Sequence, residues 1–317
     1  MSDSRPAVEA AAVRKAFGQV KALDGVDLMV NQGSLTALLG PNGAGKTTMV
    51  RIIATLSRAD AGTVRVLGFD VARQPGEVRA RIGLTGQYAG LEEALSGRDN
   101  LILIGRLAGL RRGDALSRAA ELTASFGLSD AAGRLVRTYS GGMRRRLDLA
   151  GALVARPPVL FLDEPTTGLD PRSRLGLWET IEERVSQGST VLLTTQYLDE
   201  ADRLADQIAV IDHGKVIAEG TAAQLKDRVG GDRLEVRLED EAQAEAASAA
   251  LASVVDEAPE LRDGLLLAAV SRRDGTVANA LRRLDEAGIE VSDLSLRRPT
   301  LDDVFLGLTG HAAEHDE

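Results

Sequence analysis

The chain has 317 residues, a formal net charge of -9 and no cysteine. This length exceeds that of one typical domain, and a hydrophobic content of 44% is enough to build a substantial core. The acidic balance argues against a protein that holds nucleic acid across a broad surface.

The composition also bears on the fold class and the location. Aromatic residues make up only 3% of the chain, so the core must consist of aliphatic side chains, which suits a parallel α/β sheet covered by helices. The first ten residues lack the apolar segment of a signal peptide, and no apolar run approaches the roughly 20 residues that cross a bilayer. We therefore expect a cytoplasmic chain, with any membrane-spanning part on another polypeptide.

The N-terminal region reads as antiparallel strands. Residues 7–15 are predicted to form an edge strand, and alternating apolar residues continue over residues 20–30 around a turn at Asp24 and Gly25. Phe17 lies between the two strands. A lone phenylalanine is commonly part of a core, but an aromatic ring ahead of a phosphate-binding loop can also stack on a nucleotide base, and the residues leave both interpretations open.

The strongest signal is a glycine-rich segment after the apolar run 35–39. It matches the phosphate-loop pattern G-x-x-x-x-G-K-[ST] and comprises Gly40, Pro41, Asn42, Gly43, Ala44, Gly45, Lys46, Thr47 and Thr48. Glycine lets backbone N–H groups surround an anion, and the N-terminus of the following helix favours phosphate. Lys46 would reach the β- and γ-phosphates of a nucleotide, and the Thr47 hydroxyl would bind Mg2+.

The central part of the chain contains a helical insertion. Strands are predicted to begin at Ala61 and Arg81, and Gln87 comes just past the second of them, where α/β sheets bind ligands. A solvated loop amide is an equal interpretation of Gln87. Over residues 91–133 helical spacing replaces the strand pattern, which predicts an inserted helical subdomain.

A second glycine motif opens the helix at residues 144–155. It is preceded by Ser140, Gly141 and Gly142, which would present free N–H groups to an anion. The alternative interpretation is an ordinary serine N-cap. Three consecutive cationic side chains are predicted to lie on the solvated face of this helix, namely Arg144, Arg145 and Arg146.

Two carboxylates follow the buried strand at residues 159–162. Asp163 would hold Mg2+ through a water molecule, and Glu164 would act as general base on the attacking water. Asp170, in the next tight loop, is a candidate helix N-cap. The strand at residues 189–195 ends at Gln196, a second amide that is compatible with a solvated loop or with a ligand contact.

The chain is predicted to contain two domains. Residues 1–228 would form the nucleotide-binding domain, with a helical subdomain at about 88–155, and residues 232–310 a small α+β domain without catalytic residues. Residues 311–317 are predicted to be a disordered tail. His213 is predicted to lie in a hairpin turn.

Taken in order, these motifs resemble the nucleotide-binding subunit of an ABC transporter over roughly residues 7–225. The matching motifs are Walker A (Gly40 to Thr48), the Q-loop (Gln87), the signature (Ser140 to Met143), Walker B with the catalytic glutamate (Val159 to Glu164) and the D-loop (Gly168 to Asp170). The resemblance implies a P-loop NTPase fold with an antiparallel β subdomain and a helical subdomain.

The resemblance also implies roles for the site residues. Lys46, Glu164 and Gln196 would be catalytic, with ATP and Mg2+ as cofactors. The metal would be bound by Thr47, Gln87 and Asp163. Nucleotide contacts would come from residues 40–48, from Phe17 as the base-stacking ring, and from Gln87, Asp163, Ser140, Gly141, Gly142 and Asp170.

Two departures from the family pattern stand out. Most members have a histidine at the position of Gln196, whose amide can donate one hydrogen bond but cannot carry charge. We expect slower and less pH-dependent hydrolysis from this change. The signature begins with Tyr139 and ends with Met143, where leucine and glutamine are commoner, but its serine and glycines are present.

The resemblance implies a head-to-tail homodimer around two ATP molecules, attached peripherally to the cytoplasmic face of a bacterial cell membrane through a separate permease. Residues 193–202 and 298–305 are similar to the daunorubicin-resistance branch of drug-export ATPases, which implies export of a drug or antibiotic. The alternatives are another cargo such as a lipid, peptide or polysaccharide, a regulatory module that does not hydrolyse ATP, and a soluble ABC ATPase acting on nucleic acid or ribosomes.

Overall fold

The computed structural model describes residues 6–86, 90–228, 232–256, 258–262, 264–270, 275–297 and 299–309. Gln87 and the predicted tail at residues 311–317 lie outside the described residues. The chain forms two compact units that divide between Ala222 and Ala223, and each is described by itself. Within the described ranges, no helix combines the length and apolar character needed to cross a membrane.

The first unit contains a parallel sheet, an antiparallel sheet and a set of helices. Its strands are β1 (Pro6–Phe17), β2 (Val20–Asn31), β3 (Leu35–Leu39), β4 (Ala61–Val66), β5 (Phe69–Asp70), β6 (Ile82–Thr85), β7 (Val159–Asp163), β8 (Thr190–Thr195), β9 (Gln207–Asp212) and β10 (Lys215–Gly220). Its helices are α1 (Lys46–Ile53), α2 (Pro75–Arg79), α3 (Gly97–Leu107), α4 (Arg112–Ser125), α5 (Gly141–Ala152), α6 (Pro171–Ser186) and α7 (Leu198–Leu204).

The larger sheet has the strand order β10-β9-β3-β8-β7-β6, and its strands are parallel except for β10. Every residue of β3, β7 and β8 is buried, as expected for parallel strands covered on both faces. Leu38 and Phe161 pack in the same core cluster as Met49 of α1, whereas Leu162 packs with Leu147 of α5 in a second cluster. The parallel pairing of β8 with both β3 and β7 places the carboxyl ends of the three strands side by side.

The antiparallel sheet corrects two predictions. Its order is β2-β1-β4-β5, so β1 is an internal strand and the prediction of an edge strand at residues 7–15 was wrong. No turn interrupts β2, which runs from Val20 to Asn31 through Gly25. Gly25 has φ +83°, a conformation that glycine adopts without strain, so the strand absorbs it as an irregularity in the pairing with β1.

Tyr139 holds together the entry to α5. Its side chain is buried, and its hydroxyl donates a hydrogen bond to the Ala131 carbonyl (2.7 Å). A Cβ atom on Gly97, the first residue of α3, would lie 2.2 Å from this hydroxyl, so glycine is required there. The tyrosine that departs from the usual signature therefore has a structural role in packing the helical region.

The second unit is built around an antiparallel sheet of order β12-β13-β11-β14. Its strands are β11 (Asp232–Leu238), β12 (Glu260–Arg262), β13 (Leu265–Val270) and β14 (Val291–Arg297). The helices are α8 (Ala222–Arg228), at the boundary between the units, then α9 (Ala244–Leu251), α10 (Thr276–Glu286) and α11 (Leu301–Thr309). Sequence analysis missed β12, because three residues are too few to show a period of two.

We predict that Tyr139→Phe lowers the free energy of unfolding by about 1 kcal/mol, because the buried Ala131 carbonyl would lose one of its two donors and keep only the Arg134 amide (2.9 Å). Urea unfolding followed by circular dichroism measures the loss. Thr138→Val is the control, since the Thr138 hydroxyl also donates to a carbonyl (Leu135, 2.8 Å) but is exposed, where water can replace it. Equal unfolding midpoints for wild type and Tyr139→Phe would contradict the assigned role.

Candidate functional site

The glycine-rich loop lies between β3 and α1, at the carboxyl end of the parallel sheet. The Gly40 amide donates to the Thr195 carbonyl at the end of β8 (3.2 Å), which ties the start of the loop to the neighbouring strand. The Lys46 side chain is only 3% exposed, and its ammonium donates to the carbonyls of Gly40 (2.7 Å) and Pro41 (3.1 Å). The lysine thus lies folded against its own loop.

Two glycines of this loop are required by close backbone contacts. A Cβ atom on Gly40 would lie 2.1 Å from the Ile211 carbonyl oxygen, and one on Gly45 would lie 2.4 Å from that of Ala22. Gly45 also has φ +111°, which side-chain-bearing residues rarely adopt. The loop is therefore packed between β2 and β9 in a conformation that only glycine permits.

Thr47 and Asp163 meet at the ends of α1 and β7. The Thr47 hydroxyl lies 3.2 Å from Asp163 Oδ1, and the same Oδ1 accepts a hydrogen bond from the buried Thr194 hydroxyl (2.6 Å). Hydroxyl and carboxylate oxygens are ligands that Mg2+ prefers, and a protein group that holds the carboxylate is typical of metal sites. The donor set fits Mg2+ bound partly by the protein and partly by phosphate oxygens. Among the described residues, no cluster of three or more acidic, histidine or cysteine side chains offers an all-protein site.

Glu164 has a strained backbone and a buried side chain. Its φ of +48° lies in the left-handed region, which is uncommon for a residue other than glycine. Its amide donates to both the carbonyl (3.1 Å) and the hydroxyl (3.0 Å) of Thr194, and its Oε1 lies 3.3 Å from Lys46 Nζ. Lys46, Asp163 and Glu164 therefore converge on one place at the end of the sheet.

The buried charges of this site influence one another. Burial lowers the pKa of Lys46, and the carboxylates of Glu164 and Asp163 oppose that shift. Burial disfavours the charged lysine, whereas the neighbouring carboxylates favour it and help to keep Lys46 charged. A phosphate group would supply further negative charge at the same place.

Phe17 and Gln196 take no part in the described contacts that join Lys46, Asp163 and Glu164. Phe17 ends β1 and is 55% exposed, so the core interpretation of this ring was wrong, and Lys15 Nζ lies 5.4 Å from the ring centroid. Gln196 is half-buried and directly follows Thr195 at the end of β8. Gln87, predicted for the same edge, lies outside the described residues.

The signature serine and Asp170 cap neighbouring helices. Ser140 is the N-cap of α5, and its hydroxyl accepts a hydrogen bond from the Met143 amide (3.3 Å). Asp170 is the N-cap of α6, and its carboxylate accepts from the Ser173 amide (3.0 Å) and hydroxyl (2.6 Å). A Cβ atom on Gly142 would lie 2.8 Å from Ser173 Oγ, so the two helix starts are adjacent.

Arg145 was wrongly predicted to lie on a solvated face. Its side chain is 14% exposed, and the guanidinium donates to the carbonyls of Pro165 (2.6 Å), Gly86 (2.7 Å), Glu164 (2.7 Å) and Asp163 (3.0 Å). The guanidinium thus binds the backbone on which both carboxylates of the site are mounted.

Thr194 and Arg145 are the two site residues that sequence analysis missed. Thr194 is one of several threonines and aliphatic residues in β8, and nothing in the strand pattern distinguishes the one that pairs with Asp163 in the sheet register. Arg145 contacts carbonyl oxygens, which every residue has, so its partners leave no trace in the sequence. Its spacing of three residues from Asp148 was the available signal, since such a pair lies on one helix face.

Asp148 is a buried carboxyl group beside Arg145. Burial raises the pKa of Asp148 to about 6, although the Arg145 charge 3.7 Å away and a hydrogen bond from the Gly90 backbone oppose the shift. A carboxyl group with a raised pKa binds its proton more tightly in the folded chain, so the stability that it contributes is present in acid and is lost as pH rises through about 6.

We predict that Asp148→Asn removes this pH dependence. Relative to the variant, the wild type should lose about 1 kcal/mol of unfolding free energy between pH 5 and pH 7. Chemical unfolding of both proteins at several pH values measures the difference. Parallel stability curves for the two proteins would show that Asp148 titrates as an exposed carboxylate.

The chain is similar to known proteins over nearly its whole length. The family model described as ABC transporter matches residues 23–167, and a second, described as the C-terminal domain of DrrA1-3-like ATP-binding proteins, matches residues 220–309. The daunorubicin resistance ATP-binding protein DrrA2 of Streptomyces coeruleorubidus is 54% identical over 98% of this chain and 97% of its own length. The daunorubicin/doxorubicin resistance ATP-binding protein DrrA of Streptomyces peucetius is 51% identical over 97% and 94%.

The chain belongs to the ABC transporter ATP-binding proteins. A solved structure of an ATP-binding subunit of an ABC transporter is similar to this ABC ATPase, with a TM-score of 0.64 and 28% identity over 70% of this chain and 92% of that one. The dimeric post-hydrolysis state of the cassette MJ0796, bound to ADP and phosphate, has a TM-score of 0.63 and 25% identity over 68% and 98%. The family and the fold inferred from the motifs are confirmed, and the activity is ATP hydrolysis.

We predict that Thr194→Val lowers ATP turnover about tenfold or more, because it removes the hydroxyl that orients Asp163 and accepts from the Glu164 amide. Steady-state phosphate release measures turnover. Thr194→Ser is the matched control, since it keeps the hydroxyl and should restore most of the rate. Full activity in the valine variant would show that the hydroxyl does not position either carboxylate.

Proposed function

We propose that this ABC ATPase powers the export of a drug or antibiotic through a separate membrane permease. The observation that carries the ATPase part of the proposal is the convergence of Lys46, Asp163 and Glu164 at the ends of neighbouring elements. The names of the drug-resistance relatives support the cargo class, since they match this chain across nearly its full length.

The residues of the site divide the chemistry between them. Lys46 and the amides of residues 40–48 would bind the phosphates of ATP, and Phe17 would stack on the base. Thr47 and Asp163 would hold Mg2+, which neutralises charge on the phosphates when bound. Gln87 would add a further metal ligand by analogy with the family.

Hydrolysis requires a base beside the terminal phosphate. Glu164 would accept a proton from a water molecule whose oxygen bonds to the γ-phosphorus, while the bond from that phosphorus to the oxygen of ADP breaks. Gln196 would donate a hydrogen bond to the γ-phosphate where most relatives use histidine. Because an amide does not titrate, the pH dependence of the reaction should come from other groups.

A second copy of the chain would complete each site. The helices α5 and α6 start next to each other, at Ser140, Gly141 and Gly142 and at Asp170. We propose that these two helix starts face the ATP bound by the partner copy. The dimeric structure of a related cassette supports this assembly. ATP would close the dimer, hydrolysis would open it, and the permease would take up the motion at the cytoplasmic face of a bacterial cell membrane.

Another cargo is the second candidate. A Nod factor export ATP-binding protein of Ralstonia nicotianae is 37% identical over 97% of this chain, so export ATPases with different cargo share its architecture. The ATP site described above carries no information on cargo. The cargo is therefore tested separately from the ATPase, by drug accumulation in cells that express this chain with its permease.

We predict that Glu164→Gln abolishes ATP turnover and leaves ATP binding intact, because glutamine keeps the shape of the side chain but cannot accept a proton. Phosphate release and light scattering of the purified chain with ATP measure turnover and dimerisation. The variant should accumulate as an ATP-bound dimer.

The matched control is Glu77→Gln, which changes a glutamate that pairs with Arg81 on the surface (2.6 Å) and should turn over ATP at the wild-type rate. Undiminished turnover in Glu164→Gln would exclude Glu164 as the base. ATP binding without hydrolysis in the wild type, with and without the permease, would favour a regulatory role. Salt-sensitive binding of nucleic acid would favour the nucleic-acid alternative.

A further inference from the structure

One guanidinium joins the signature helix to the loop that carries both carboxylates. Arg145 lies on the first turns of α5, five residues after Ser140. Its hydrogen bonds reach the carboxyl end of β6 at Gly86 (2.7 Å) and the residues that follow β7, with Pro165 as the shortest contact (2.6 Å). The side chain therefore crosses from the helical region to the end of the parallel sheet.

The carbonyls that accept from Arg145 lie on both sides of the strained residue. The Nη2 atom donates to the carbonyls of Asp163 (3.0 Å) and Glu164 (2.7 Å), and Nε donates to that of Pro165. On the opposite side of the same backbone, Thr194 accepts from the Glu164 amide (3.0 Å). The left-handed backbone of Glu164 is thus held through its N–H by Thr194 and through its C=O by Arg145.

The contacts require a guanidinium rather than any cation. Arginine offers five N–H donors in a planar fork, which can meet carbonyls that point at it from several directions. Lysine carries its three donors on a single nitrogen, so it cannot reproduce the contacts that Nε, Nη1 and Nη2 make from three separate positions. Arg145 is also largely withdrawn from water, with Asp148 as a partner charge 3.7 Å away, so its position is restricted.

We propose that Arg145 is a positioning residue for ATP hydrolysis. It holds the backbone of Glu164 so that the Glu164 carboxylate faces the reacting water. It also links this placement to the orientation of α5, the helix that begins at the signature. The inference rests on the proposed role of Glu164 as general base. Arg145 touches neither nucleotide nor metal in this role, and it acts through the backbone carbonyls around Glu164.

The proposal is distinguished from a purely structural role by the kinetic parameter that changes. Loss of Arg145 should lower kcat between about tenfold and a hundredfold, the scale expected when a catalytic group is slightly misplaced. Binding of ATP should change less than about threefold, because the hydrogen bonds described for Arg145 go to Gly86 and residues 163–165 and not to the phosphate loop. A purely structural role would lower stability without separating kcat from binding.

The test uses the purified full-length chain and the variants Arg145→Gln and Arg145→Lys. Phosphate release gives kcat and KM, the fluorescence of mant-ATP gives binding, and urea unfolding gives stability. We expect low kcat and near-normal mant-ATP binding in both variants, with the lysine variant less impaired. If Arg145→Gln fails to fold, Arg145→Lys carries the test, since it keeps the charge.

Arg118→Gln is the matched control. Arg118 is another buried arginine that donates to a backbone carbonyl, that of Leu153 (2.9 Å), and it also pairs with Glu121. Its loss should lower stability and leave kcat within about twofold of wild type at a temperature where the chain is folded. Equal effects of the Arg118 and Arg145 variants on kcat would overturn the proposal, as would a wild-type kcat in Arg145→Lys and Arg145→Gln. Absence of hydrolysis in the wild type would instead refute the proposed function.

Discussion

The site depends on the register of three buried parallel strands. In this register Leu38 of β3 lies beside Thr194 of β8, which in turn lies beside Asp163 of β7. Because parallel strands point their carboxyl ends to the same edge, the phosphate loop, the two carboxylates and Gln196 all follow strand ends that are neighbours. A shift of one residue of β7 against β8 would turn Asp163 to the opposite face from Thr194 and separate them.

Buried charge is the second feature that organises this region. The ammonium of Lys46 lies against Glu164, and the guanidinium of Arg145 lies near Asp148, so each buried cation has an anion close by. Burial also raises the pKa of Glu200, which accepts a hydrogen bond from the Trp178 indole (2.9 Å). These groups are expensive to remove from water, and carbonyl and hydroxyl contacts offset much of that cost.

Most of the parallel sheet and its motifs could be predicted from the sequence. The apolar run of β3 and the glycines that follow it have a pattern that few other structures share, and the strand that ends at Asp163 is short and continuous. The antiparallel sheet was less predictable. A strand with one neighbour and a strand with two have similar patterns when one face is exposed, so the pattern of β1 does not reveal that it is internal. Glycine is typical of turns, so the sequence predicts a turn at Gly25, whereas β2 continues through it.

By itself, the sequence determined that this protein has a phosphate-binding loop, that two carboxylates follow a buried strand where a metal ligand and a base are expected, and that it belongs with ABC transporter ATPases. These properties require particular residue types at fixed spacing. The tertiary structure alone decided which ordinary residues support them. Thr194 and Arg145 act through a strand register and through backbone carbonyls, and contacts of this kind depend on the three-dimensional position of the chain rather than on the identity of the partner residue.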